Sequence, residues 1–224
     1  MSHASVPPRV PEPDVATHLT PFSPADLTDG GTFPGADLTG ADLTDAVLDE
    51  VQIESSALDR VRASGGSWEH TALVDCRLTG ADLANLRAPG LSVVRCSLRE
   101  VRLTGGQLPR ARLRAVLLEG AAARLSSWQE ATWQHVVLRG CDLREADLTR
   151  AAWQDVLLEE CDLTGAQLSG LRCERVRLAG CRLGGIGGVE SLRGASLAEA
   201  DAFEALPAMA RALGIRVESS RHAS

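Results

Sequence analysis

Six cysteines (Cys76, Cys96, Cys141, Cys161, Cys173, Cys181) and five histidines (His3, His18, His70, His135, His222) are the side chains best suited to metal or redox chemistry. Neither set has the spacing that chemistry needs. No C-x-x-C pair occurs, which weakens both a zinc site and a redox dithiol. Three of the histidines lie in the terminal segments. The Gly184-Gly185-Ile186-Gly187-Gly188 run could cradle a phosphate, but it lacks the lysine and the strand-to-helix context of such a loop and reads as a turn. No G-x-S-x-G, H-E-x-x-H or phosphate-loop motif is present. The four tryptophans (Trp68, Trp128, Trp133, Trp153) could stack a ligand, and whether they can depends on which way they face. The sequence predicts no catalytic residues, no metal and no cofactor, so the chain is expected not to be an enzyme.

What positions these residues is a period of five. Taking every fifth residue from Phe33 to Leu183 gives 31 positions, 20 of them Leu and none charged, and all four Trp fall in this set. The residue two places earlier is Ala, Val, Cys or Leu in 25 of the 31 blocks and is never charged. Five of the six Cys sit at this second position, with Cys173 at the central one. On an α-helix a step of five scatters the apolar positions around the axis, and on a strand it switches faces each time. The pattern needs a chain that turns by a fixed angle every five residues and points each central side chain inward. A four-sided coil of about 20 residues does so, each coil stacking on the last at about 4.8 Å. The tryptophans are then core, and His70 and His135 fall at outward corners. Cysteines 20 apart (Cys76 and Cys96; Cys141, Cys161 and Cys181) would point in parallel, too far apart at Cβ for a disulfide, and read as small buried hydrophobes.

Composition agrees. Of 224 residues 44% are hydrophobic but only 3% aromatic, so the interior is filled by aliphatics. No apolar run approaches the length of a membrane span. The Pro-rich start (MSHASVPPRVPEPD) lacks the charged and apolar regions of a secretory signal, which makes a cytoplasmic location the expectation. The net charge of −7 argues against general nucleic-acid binding, though not against a basic partner.

The chain resembles the pentapeptide repeat family, whose motif reads A-(D/N)-L-x-x. Ala36-Asp37-Leu38-Thr39-Gly40, Ala41-Asp42-Leu43-Thr44-Asp45, Cys141-Asp142-Leu143, Ala146-Asp147-Leu148 and Cys161-Asp162-Leu163-Thr164-Gly165 carry the resemblance. It implies an all-β solenoid, a right-handed quadrilateral β-helix, over residues 31–185. The unbroken register gives nearly eight coils and a rod on the order of 37 Å long. Residues 1–30 read as a flexible Pro-rich arm, with an out-of-register repeat at Ala25–Asp29 that begins or caps the first coil. Residues 186–217 read as a C-terminal cap with a short α-helix over 198–213, N-capped by Ser196 and split in two by Pro207, and residues 218–224 as a disordered tail. Leu206, Met209, Ala210 and Leu213 recur at helical spacing. Gyrase-inhibiting members of the family dimerise end to end through such a helix, so the resemblance implies that these four residues form a homodimer contact; the alternative is a helix folded onto its own last coil.

Charge is unevenly placed. Residues 31–59 hold seven acids and no Arg, residues 60–114 hold ten Arg and four acids, and residues 115–185 hold eight Arg and ten acids. One expected column reads Asp42, Arg62, Asp82, Arg102, Ala122, Asp142, Asp162, Arg182, in which neighbours of opposite sign would attract. The candidate acidic interaction face is Asp37, Asp42, Asp45, Asp49, Asp142, Asp147 and Asp162. Two functions remain. One is a non-catalytic scaffold that binds an unidentified protein. The other is the family's DNA mimic, which binds DNA gyrase or another type II topoisomerase. A mimic should carry negative charge at phosphate-like density, and the Arg-rich middle interrupts it.

Overall fold

A computed structural model describes residues 8–216; residues 1–7 of the expected arm, Val217 and the tail 218–224 lie outside the described residues. The turning device is a left-handed backbone conformation. Every fifth residue from Gly30 to Gly185 has positive φ, between 47° and 75°, and 19 of these are not glycine. Side chains other than glycine disfavour this region, so the stacking of coils, rather than local preference, imposes the corner. A left-handed residue between two extended stretches redirects the chain and starts the next side.

Each coil pairs with the next at an offset of 20 residues, the backbone hydrogen bonds running 19 residues forward and 21 back, as in Leu38 N–H to the Ala57 carbonyl and Ala57 N–H to the Ala36 carbonyl. The register runs without a break from Thr32↔Gln52 through Asp82↔Arg102 to Gln167↔Gly187, all parallel. The described residues therefore form a right-handed quadrilateral β-helix of about nine turns with one C-terminal helix. Strands of three residues dominate the first half. Four eight-residue strands, Arg112–Glu119, Thr132–Arg139, Ala152–Glu159 and Arg172–Ala179, each run through a corner in the second.

The interior is as the period requires. All central residues are buried except Cys173, which is half-buried. The tryptophans are core: Trp133 and Trp153 stack at 5.1 Å, and Trp128 meets Trp133 edge-on at 5.3 Å. Trp68 stacks on Leu48, and Ala63 and Ala123 precede Trp68 and Trp128 by one side of the square, a small residue beside each large one. The cysteines of the second position are buried, and all six thiols are free. Cys76 donates to the Ile53 carbonyl at 3.3 Å, and burial pushes the Cys96 thiol up.

Both ends of the rod are closed. A stacked coil leaves unpaired backbone at its last turn. At the C-terminal end a 3-10 turn (Val189–Leu192) leads to the helix α1, Glu199–Ala212. The Asp201 carboxylate, buried, accepts the Cys181 N–H at 3.0 Å, and Glu204 accepts the Leu183 N–H at 3.0 Å. Ser191 Oγ accepts the Gly170 N–H at 2.9 Å. Side-chain oxygens thus replace the carbonyls of an absent next coil. Two local expectations are corrected. Ser196 belongs to a short strand pairing with Arg177, and Ala198, with no side-chain bond, is the N-cap. Pro207 sits inside one continuous helix, because packing of Ala205 and Ala208 on the core holds both halves in line.

At the other end the Pro-rich segment lies along the rod. Thr20 and Phe22 donate to the Gly35 and Asp37 carbonyls at 2.8 and 3.1 Å, Ala16 donates to Ser55 at 2.8 Å, and Glu12 pairs with Arg99 at 3.2 Å. Phe22 meets Phe33 edge-on at 5.7 Å. Proline lacks the donor a central strand needs but not the fixed extended shape of an edge segment, which suits this path. The out-of-register Ala25–Asp29 begins as a 3-10 turn with a Ser23–Asp26 capping box, and Leu27 closes the first coil.

Candidate functional site

The column at Asp42 forms as its spacing requires. Arg62 pairs with Asp42 at 2.9 Å, Arg102 with Asp82 at 3.0 Å and Arg182 with Asp162 at 3.6 Å. Hydrogen bonds from Thr44 and then Arg62 hold the Asp42 carboxyl down to about 2. Asp142 and Asp162 are like charges on adjacent coils, and Arg144 lies between them, at 2.6 Å from Asp142 and 3.9 Å from Asp162. Hydrogen bonding from Arg144 lowers the Asp142 carboxyl.

The other acidic candidates are dispersed. Asp37 bonds the Thr39 N–H at 3.0 Å, and hydrogen bonding from Thr39 lowers its carboxyl. Asp147 accepts from the Gln129 amide and from the Thr149 N–H at 3.0 Å. Asp45 is itself a corner, its carboxylate over Gly65 on the next coil. Asp49 lies 3.5 Å from His70. The seven residues do not form one face. Asp42, Asp142 and Asp162 are neutralised by Arg in an ion-paired patchwork, while Asp45 and Asp49 belong to the Arg-free first coils. Sequence spacing reveals partners 20 residues apart but misses Arg144, which turns back to the column from two residues further along its own coil.

A second surface is the outer side of α1. Ala205 and Ala208 are buried against the last coil and Met209 packs beside them, whereas Leu206 is 51% and Leu213 76% exposed. Ala210 is half-buried. The four residues read from the sequence therefore divide between two directions. The outward group includes Phe203, 63% exposed, which helical spacing from Leu206 could have found, and Ile215 just beyond the helix. Phe203, Leu206, Ala210 and Leu213 follow one another at intervals of three and four, a single stripe on the helix.

A match to a family model describing pentapeptide repeats covers residues 32–65, 76–114, 126–152 and 154–185 in eight copies, more than half of the chain. No curated protein matches the sequence. Among solved structures, HetL, a pentapeptide repeat protein involved in heterocyst differentiation regulation from the cyanobacterium Nostoc sp. strain PCC 7120, is 20% identical with a TM-score of 0.50, over 82% of this chain and 87% of its own. QnrB1, a plasmid-mediated fluoroquinolone resistance protein, is 18% identical with a TM-score of 0.40, over 83% of this chain and 100% of its own. At these identities the likeness concerns the fold.

Proposed function

This chain belongs to the pentapeptide repeat family, and from that premise we propose that it is a non-catalytic scaffold that binds other proteins, with the outer side of α1 as a contact surface. The observation that carries this is the exposed stripe of Phe203, Leu206 and Leu213, with Ile215 beside it. Soluble surfaces seldom leave so many large apolar groups together without a partner. The first partner proposed is a second copy, joined end to end, which leaves the four sides of both rods free for a different protein. Sedimentation of the purified chain tests this. The expected result is a dimer that Phe203→Glu and Leu206→Glu return to a monomer of 23.7 kDa with unchanged circular dichroism. A wild-type monomer at all concentrations would remove the second copy from the proposal.

The finer reading is a DNA mimic directed at DNA gyrase or another type II topoisomerase. Its support is the acidic stretch over residues 31–59, which lacks Arg. Against it stands the Arg-paired ladder over the remaining coils, which breaks up a phosphate-like row. A gyrase supercoiling assay separates the two readings. Unchanged supercoiling at micromolar protein favours the scaffold, and inhibition favours the mimic.

A further inference from the structure

We propose that Asp49, Glu69 and His70 form a binding site for a divalent transition metal of the zinc type. Asp49 and Glu69 are register neighbours on the parallel strands Val47–Asp49 and Ser67–Glu69, and His70 follows at the corner with φ of 50°. A donor atom from each of the three lies within 4.8 Å of the others, and His70 Nδ1 is 3.5 Å from Asp49 Oδ1. The backbone under all three is fixed by the coil ladder, with Glu50 N–H bonded to the Glu69 carbonyl at 3.0 Å and Gly30 N–H to the Asp49 carbonyl at 2.9 Å. The donors thus stand on rigid elements, and only short side-chain rotations are needed to bring them to bonding distance.

Two observations set this place apart from an ordinary acidic patch. The first is the imidazole, which turns two carboxylates into a mixed nitrogen and oxygen donor set. The second is an uncompensated row. Asp29 lies one coil before Asp49 and its carboxylate accepts the Asp49 N–H at 3.0 Å, so Asp29, Asp49 and Glu69 stack as three like charges. Among the described residues no Arg pairs with any of them, while several carboxylates further along the rod face an Arg of an adjacent coil, as in Asp75–Arg95, Glu159–Arg139 and Asp155–Arg175. Like charges in register repel. A bound cation would remove the repulsion that arginine removes elsewhere.

The donor set selects the metal class. One imidazole and two carboxylates with an open position for water suit zinc. Calcium takes six to eight oxygen ligands and magnesium a near-ideal octahedron, and neither favours an imidazole. Linear motif spacing does not reveal the site, because Asp49 lies a full coil before Glu69 and His70.

Isothermal titration of the full-length chain with zinc chloride tests the site, with His70→Ala, Glu69→Gln and, as a control on the other corner histidine, His135→Ala. The expected result is one Zn²⁺ per chain with a Kd on the order of micromolar. His70→Ala and Glu69→Gln should each weaken binding by about tenfold or more. His135→Ala should leave it unchanged, and zinc should raise the melting temperature of the wild type but not of His70→Ala. Absence of saturable one-to-one binding, or wild-type affinity in folded His70→Ala, overturns the proposal.

Discussion

The corners offer a measurement of what stacking imposes on the chain. Gly140 has φ of 57°, and a Cβ placed on it would meet nothing within 4 Å. Gly140→Ala therefore isolates the backbone term. An L-residue in the left-handed region costs about 1–2 kcal/mol, and the stiffer unfolded chain returns about 0.4–1 kcal/mol. The net expectation is a loss of about 0–1.6 kcal/mol, centred near 0.8 kcal/mol. Ala115 has φ of 54° at an equivalent corner, so Ala115→Gly should gain a similar amount. Gly188→Ala should cost distinctly more than either, because its Cβ would sit 2.5 Å from the Ser169 backbone nitrogen. Urea unfolding followed by circular dichroism reads all three, and for a chain of this length each kcal/mol moves the melting temperature by about 2–4 °C. A stabilising Gly140→Ala, or a destabilising Ala115→Gly, would refute the claim that the corners are held against local preference.

Trp153→Ala removes a buried ring stacked on Trp133 and should cost about 3–5 kcal/mol in the same assay. Asp75 is bonded to Arg95, whose hydrogen bond lowers its carboxyl; a depressed folded value means the stabilisation is complete above the ordinary aspartate range and is lost as pH falls through the folded value. Melting temperatures of wild type and Asp75→Asn should therefore converge as pH drops below about 4. Five thiols are buried and the half-buried Cys173 is pushed up to about 11, so an aromatic disulfide reagent should find no fast-reacting thiol in the native chain and six in denaturant.

Much of the fold is legible because inward positions are chemically exclusive. A charged residue at any central place would be buried without a partner, so the absence of charge there specifies the square coil and its register from Phe33 to Leu183. The corners themselves are less legible: Leu125 and Ala115 carry no sequence preference for positive φ and adopt it under the demands of their neighbours. At the ends the rule stops. Asp201 reads as one more helix-surface acid, yet it serves the last coil's backbone. Leu206 and Leu213 read with Met209 as one apolar face, yet the alanines do the packing because only small side chains let the helix approach the coil. The candidate surfaces were legible only in part for a similar reason. Column membership follows from spacing, whereas neutralisation of Asp142 depends on how Arg144 turns, and the meeting of His70 with Asp49 depends on the coil fold.

The unbroken 20-residue register makes this molecule adjustable in two independent ways. Removing 20 residues, for example 121–140, would bring Cys141 into the place of Ala121 and shorten the rod by about 4.8 Å with every face still aligned. Removing five would keep central positions inward but swing everything downstream by a quarter of a revolution, so that Asp147 would stack on Ala122. The bearing of α1 relative to the acidic first coils is therefore set in right-angle clicks and its distance in single-coil steps. Chains of this kind can diverge in reach and in orientation by small deletions and duplications, without reinventing the core.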